Sequence, residues 1–500
     1  MPYQAEDSPS PFQPLASPSS RRDSIYNSFQ DILSNGPNSL SNFQNSFSRS
    51  TINHVNNELD VHPRRLSIGS LHRESLGRVT SNEQTRLLPD SNLDSYSTTT
   101  TVVQDQEDVI TSDEVIGFST VPQTIFNGIN TLIGIGLLSL PLGLHYSGWV
   151  AGSIILLLCA LSTKYTAQVL AKCILKNEEL KTYGDIARYC FGDFVHAIVV
   201  LTFSIDLLGA GISMIIIFAD SFHAVFGLPK LYLKLFISCI FFILSFIRLD
   251  VLSNLSLLGI ISTSLIVLIV LISGLVATDY GSLLNPAETS LWPKDTLHLF
   301  LSLGIFMSPF GGHAIFPELY KDMRHPHKYD SAVATIFRFT FLIDYLIAGL
   351  GYLMFGSDIE DQITKNVIAN SVWWVKLIFG VLLGILPITK GALITRPIIT
   401  MVDQLTLKKG KYEATARFAN RLLVIVVFTI TSLVFTNFGL IMSFLGSAIC
   451  FTICIIYPLS FYLKLYHDEF SSFKKYTIVG CITIGFVLAV CGTIAVAVSP

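Results

Sequence analysis

Four ionisable residues fall inside stretches that are otherwise apolar: Asp206 in LTFSIDLLGAGISM, His313 in LGIFMSPFGGHAIFPEL, Asp344 in the run 332–355 and Lys390 in the run 371–397. Charge is costly where water is scarce, so acids in such places usually mark proton or ion pathways. Asp206 has no basic residue within one helical turn. Desolvation favours its neutral form, which suits a group that takes a proton from an acidic compartment and releases it to a neutral one. A structural carboxyl bonded to another helix is the alternative. Asp344 is a second acid of the same kind. His313 titrates in a useful range, although a buried histidine beside a helix break also serves by bonding a carbonyl. Lys390 and Lys164 lie within about two turns of a span's end, where snorkelling is the simple account.

The stretch that must position these groups is Thr124 to Trp149, TIFNGINTLIGIGLLSLPLGLHYSGW. It is apolar enough for lipid but poor as one unbroken helix. Gly128, Gly134 and Gly136 each cost about 1 kcal/mol in a helix interior, and Pro141 lacks an N–H. Asn127 and Asn130 add polar side chains. Broken backbone is tolerated at membrane depth only where protein covers it or it lines a wet cavity. We expect a break near Ile133 to Gly136, with freed N–H groups that hold a carboxylate; a glycine packing face is the alternative. Leu303 to Leu319 repeats the oddity, interrupted by Pro309, Gly311, Gly312 and Pro317.

Composition sets the class. Hydrophobic residues make up 51% of the 500 and charged residues 14%, against roughly 25% charged in soluble domains. This is the make-up of an all-α integral membrane protein, with no indication of nucleic acid as a partner. The eight cysteines all fall in or beside apolar segments, and no Cys/His set has metal spacing. No nucleophile–base set or metal cluster suggests an enzyme, and no cofactor is expected beyond protons as coupling ion. The start, MPYQAEDSPS, lacks the pattern of a cleaved signal peptide.

Residues 1–117 are rich in Ser, Asn, Asp and Arg and are expected to form a disordered tail. Ser24 and Ser67 each follow an Arg pair two or three residues earlier and are candidate phosphorylation sites for a basophilic kinase. Glu83, Leu87 and Leu88 fit an acidic dileucine pattern, a site for a sorting adaptor. Chance matches remain the alternative for both.

Residues 118–500 form the membrane domain. Apolar stretches near bilayer length fall at 120–146, 148–172, 195–219, 231–248, 254–278, 296–318, 332–355, 371–397, 418–436, 439–463 and 477–498, about eleven spans in all. Lys230, Lys234, Lys294, Lys365 and Lys376 lie on one side, and the more numerous remaining loop Lys and Arg on the tail's side. The N-terminus is therefore expected in the cytosol and the C-terminus across the membrane. Two broken spans, five apart, suggest two five-helix repeats of inverted topology with the ligand between them.

The pattern Asn127-x-x-Asn130-x-x-x-Gly134-x-Gly136-x-Leu138-x-Leu140-Pro141, then Gly148-Trp149, resembles the first span of the amino acid/auxin permease family. Gly312-His313-x-x-Phe316-Pro317-Glu318-Leu319 is similar to its sixth span, Pro387-x-Thr389-Lys390 to its eighth, and Thr182-Tyr183-Gly184-Asp185-Ile186-Ala187 to the loop after the second. Gly351-Tyr352-Leu353-Met354-Phe355-Gly356 and Ile363-Thr364-Lys365-Asn366 resemble the fungal vacuolar branch. The resemblance covers about residues 118–498. It implies a LeuT-like fold of 5+5 inverted helices plus one, with helices 1 and 6 discontinuous. It also implies transport of neutral amino acids into an acidic vacuole in exchange for protons.

On this resemblance the substrate site maps onto Asn127, Asn130, Gly134, Gly136, Ser308, Gly311 and Gly312, and proton coupling onto Asp206, His313, Asp344 or Lys390. Lys390 would then be a fixed positive charge standing where sodium sits in cation-coupled relatives, or would pair with an acid. Two rival readings stand beside this one. One is sodium-coupled symport on the same fold. The other is an amino-acid sensor that signals through its tail.

Overall fold

Within lipid a backbone N–H finds no water, so each apolar stretch must satisfy its own hydrogen bonds as a helix. The computed structural model describes residues 119–177, 180, 182–247, 249–277, 281–406 and 413–499. The tail positions Ser24, Ser67, Glu83, Leu87 and Leu88 lie outside these. The described residues are helical apart from connecting segments and one isolated bridge between Ser119 and Met323.

The chain opens with α1 (Val121–Leu132), a 3-10 turn (Ile135–Ser139) and α2 (Leu140–Leu175). At 1.5 Å per residue α2 is about 54 Å long, too much for one crossing of a core about 30 Å thick. Gly148 divides it, at φ +70°. A Cβ there would fall 2.7 Å from the Leu291 and Trp292 carbonyl carbons. The amides freed by this elbow are capped from the same loop, Trp149 N–H to the Ser290 carbonyl and Val150 N–H to that of Leu291, both at 3.1 Å.

There follow α3 (Tyr183–Phe191), α4 (Asp193–Phe226), α5 (Lys230–Leu244), α6 (Leu249–Val276) and α7 (Thr296–Met307). A 3-10 turn (Ser308–Phe310) and an irregular stretch separate α7 from α8 (Phe316–Asp322). The remainder comprises α9 (Tyr329–Phe355), α10 (Ile363–Asn370), α11 (Trp373–Thr406), α12 (Glu413–Val434), α13 (Phe438–Phe444), α14 (Tyr457–Leu465) and α15 (Ser472–Val498). Seven of the described helical segments are long and apolar enough to cross a bilayer, with Ile261–Val276 and Thr296–Phe310 as shorter apolar ones. The expected interruptions in the first and sixth spans are both present.

Side-chain placement is that of a membrane bundle. On α15 the buried positions Ile478, Gly485, Ala489 and Gly492 share one face, while Ile484, Phe486 and Ile494 are exposed. Small residues let helices approach where the hydrophobic effect cannot drive them together: a Cβ on Gly492 would lie 2.6 Å from the Ser447 Cβ.

The packing also carries the five-span repeat. Helix α2 packs on α9, α4 on α11 and α5 on α12, each pair being counterparts five spans apart. Some contacts between helices that are not counterparts are mirrored as well. Thus α1 lies on α9, with Gly128 against Ile336, and α7 lies on α2, with Phe306 against Gly152.

One element departs from expectation. The tenth span is not plain α-helix between α13 and α14: Leu445–Cys450 and Thr452–Ile456 are π-helical. Here the backbone meets that of α7 so closely that a Cβ on Gly446 would overlap the Gly304 carbonyl oxygen. Such wide turns tend to occur at functional sites.

Candidate functional site

The site begins where α1 stops. Ile133 caps it at ψ 92° and Gly134 is extended, so the chain leaves helical geometry at the glycine-rich break. The amides of Gly134, Ile135 and Gly136 have no hydrogen-bond partner among the described residues. They open the second half of the span, where unfilled N–H groups favour an anion. Gly134 faces open space: a Cβ there would have only the Leu132 carbonyl oxygen nearby, at 3.9 Å.

The second interruption lies directly against the first. A Cβ on Gly136 would fall 2.8 Å from Ser308 Oγ and 3.2 Å from the Pro309 nitrogen. A Cβ on Gly312 would meet Leu132 Cδ2 at 2.8 Å and Thr131 Cγ2 at 2.9 Å. Gly136 and Gly312 therefore allow the two breaks to touch, whereas Gly134 borders the space between elements. Gly311 makes a third approach, its added Cβ 2.8 Å from Cys450 Sγ in the π-helical segment. Ser308 Oγ donates to the Ile305 carbonyl at 3.0 Å and so caps α7.

Asn127 and Asn130 are both buried on α1. The Asn127 carbonyl accepts from Thr131 Oγ1 at 2.9 Å, and Asn130 Oδ1 has no partner among the described residues.

Of the ionisable groups, Lys390 reaches the break. Its Nζ donates to the Ile133 carbonyl at 3.1 Å, placing an ammonium on the negative end of α1. Gly259 of α6 leaves room for the lysine stem, an added Cβ lying 3.5 Å from Lys390 Cε. One carbonyl freed at the break is thus already in use.

His313 is fully buried and turned to α2. Its Nε2 lies 2.9 Å from Thr166 Oγ1 and 3.1 Å from the Thr163 carbonyl. A carbonyl can only accept, so Nε2 carries the proton, and the ring fastens the sixth-span break to the second span.

Asp206 is half-buried on α4 and makes no hydrogen bond or ion pair among the described residues. It lies near Cys450 and Cys454, which puts it beside the π-helical segment. Asp344 is fully buried on α9, with neither carboxyl oxygen partnered among the described residues. Lys164, half-buried on α2, makes no hydrogen bond or ion pair there.

An ion cluster that sequence reasoning missed joins four elements. Asp220 on α4 accepts from Lys230 Nζ at its Oδ1 and Lys365 Nζ at its Oδ2, both at 2.7 Å. Lys365 on α10 also pairs with Asp361 Oδ1 at 2.7 Å, and Asp361 Oδ2 accepts the Phe438 amide at 2.9 Å. The available signal was an acid six residues from the end of an apolar helix.

Two broken helices that touch inside an apolar bundle, with unfilled amides at the join, define a membrane transporter. The chain belongs to the transmembrane amino acid transporter protein family, whose model matches residues 117–498. The resemblance read from the motifs is thereby met at the level of the family. The amino acid transporter AVT1I of Arabidopsis thaliana is 29% identical over 385 residues, 74% of this chain and 90% of that one. The amino acid transporter AVT1E of Arabidopsis thaliana is 27% identical over 395 residues, 75% and 72% respectively.

Among solved structures, the chain is similar to a nucleobase-cation-symport-1 family transporter with bromovinylhydantoin bound, at TM-score 0.48 and 10% identity, covering 75% of this chain and 90% of that one. It is also similar to MhsT in complex with L-phenylalanine, at TM-score 0.46 and 12% identity, covering 75% and 98%.

Proposed function

We propose that the chain moves neutral amino acids into an acidic vacuole in exchange for protons. The observation that carries this reading is the pairing of opposite polarities at one break. The free amides of Gly134, Ile135 and Gly136 suit a carboxylate, and unfilled polar atoms such as Asn130 Oδ1 lie on the same element to receive an ammonium. The relatives' names, amino acid transporters, support the same substrate class.

Proton rather than sodium coupling is favoured by Lys390. Its ammonium already sits on the Ile133 carbonyl, and a metal cation seeking that oxygen would meet a like charge at close range. Asp206, an acid inside a span with no partner among the described residues, is the proposed proton carrier. The loop charges argue for a cytosolic N-terminus, which would turn the Asp220–Lys365 cluster toward the lumen.

The test is uptake of a panel of labelled amino acids into sealed vesicles, with and without an imposed proton gradient. Uptake that needs an acidic interior supports the reading. Uptake driven by sodium without a pH difference would replace it with symport. Absence of flux for every amino acid, with binding retained, would favour a sensor.

A further inference from the structure

Asp344 poses a problem that the transport cycle has to solve. It is completely buried, and neither carboxyl oxygen has a partner among the described residues. One turn earlier on the same face, Thr340 is completely buried with its Oγ1 equally unpartnered. This is the face of α9 that lies on the first span. Ile336 meets Gly128, and Gly351 meets Pro141. Asp344 stands eight residues past the first contact and seven before the second, about 12 and about 10 Å along the helix. That level corresponds to the break itself, and α9 also touches the 3-10 turn Ile135–Ser139.

No charged group among the described residues bonds to Asp344; the ammonium at the same break, Lys390, is held on the Ile133 carbonyl. Neither α1 nor the 3-10 turn carries a titratable residue. On α2 the groups at middle depth are Cys159, Lys164 and Tyr165, and on α9 itself Arg338 and Tyr345; none bonds to Asp344. Tyr345 OH is instead 3.1 Å from Ser153 Oγ. The single charged residue of α6, Asp250, is about 20 Å farther along that helix, taking Gly274 against Met354 as the common level. An ionised carboxylate in such a place costs several kcal/mol, so the packed state calls for a neutral acid.

We infer that Asp344 and Thr340 form a proton-binding site that governs whether α9 stays packed on the first-span break. With the proton bound, the interface is dry. When the proton leaves, the carboxylate needs water, and α9 loosens from the residues that grip the substrate. This deepens the proposed function and rests on it for its part in coupling: one contact would feel both the proton and the amino acid. Asp206, half-buried and away from this interface, imposes no such condition on the packing.

The test needs neither gradient nor substrate, so its failure and that of the transport reading are distinguishable. The full chain with Thr340→Cys, in nanodiscs, is labelled with a small maleimide and the site is read by mass spectrometry. Rates are corrected for thiol reactivity in the unfolded chain. Labelling should be slow at acidic pH and at least about tenfold faster at alkaline pH. Adding Asp344→Asn should keep it slow throughout, while adding Asp206→Asn should leave the pH response intact. Hydrogen exchange of residues 121–132, corrected for its intrinsic rate, reads the same opening with Thr340 in place. A pH response that survives Asp344→Asn, or its absence from the parent in both measurements, overturns the inference.

Discussion

Lys390 Nζ lies 3.1 Å from the carbonyl oxygen of Ile133, the residue on which the first half-helix ends. A cation on that carbonyl occupies the break from one side and leaves its amides unfilled, as the proposed carboxylate site requires. Lys390→Met should weaken amino-acid binding about tenfold or more, the scale of a hydrogen bond to a charged group. Lys390→Arg, with charge but a different shape, should fall between. Equilibrium binding to purified protein measures both, and unchanged affinity in the Met variant would reduce the lysine to a snorkelling side chain.

Gly134 and Gly136 are two residues apart but should fail differently. Valine at Gly134 enters open space and should abolish binding while the protein reaches its membrane in normal amount. Valine at Gly136 must displace Ser308 and Pro309, a strain of about 1–3 kcal/mol that should appear as a lower melting temperature. Equal melting temperatures for the two variants would mean that the breaks do not bear on one another.

Asp206→Asn should abolish uptake driven by an acidic vesicle interior yet spare exchange of labelled for unlabelled amino acid across the same vesicles. Undiminished gradient-driven uptake would clear this residue of proton transfer.

The Asp220–Lys365–Asp361 cluster carries a pH prediction. Burial draws the Lys365 pKa down, but the Asp361 and Asp220 carboxylates outweigh it and hold the value above that of an ordinary lysine. A cation whose folded-state pKa is raised contributes fully below its ordinary value and loses that contribution only as pH climbs through the raised one. Titration of Lys365 should therefore leave the melting temperature flat from mildly acidic to neutral pH and lower it only at strongly alkaline pH. Lys365→Met should cost about 2 kcal/mol, less than a fully broken buried pair because Asp220 keeps Lys230, and should remove the Lys365 contribution to that alkaline decline. Thermal unfolding across pH checks both.

Joint substitution Leu87→Ala and Leu88→Ala should send the protein to a different membrane, as seen by microscopy of a tagged chain. Unchanged location would make the motif a coincidence.

The interruptions were legible because their cause is local. Gly134, Gly136, Pro309, Gly311 and Gly312 disfavour helix wherever they stand, and apolar runs of bilayer length mark the rods between them. What the residues face was not legible. Gly128 reads as a hinge or a packing surface until Ile336 is seen 2.4 Å from where its Cβ would be. Asp206 stood out over Asp344 in sequence because its neighbours are more uniformly apolar, yet burial ranks them the other way. Helices α3 and α10, of nine and eight residues, are too short for hydrophobic periodicity to register. The π-helical turns of the tenth span arise from a neighbour's backbone, which no local pattern encodes.

The small bridge at Ser119 has a mechanical corollary. Its amide donates to the Asp322 carbonyl at 2.7 Å, and its own carbonyl accepts from the Arg324 amide at 2.9 Å, so the tips of α1 and α8 are stitched together by two main-chain bonds, to which Ser119 Oγ adds one to the Asp322 carboxylate. Side-chain replacement cannot undo the two main-chain bonds, and the half-helices that they join would swing as one jaw rather than two. Any opening at that end has to carry the pair away from α2 and α9 together.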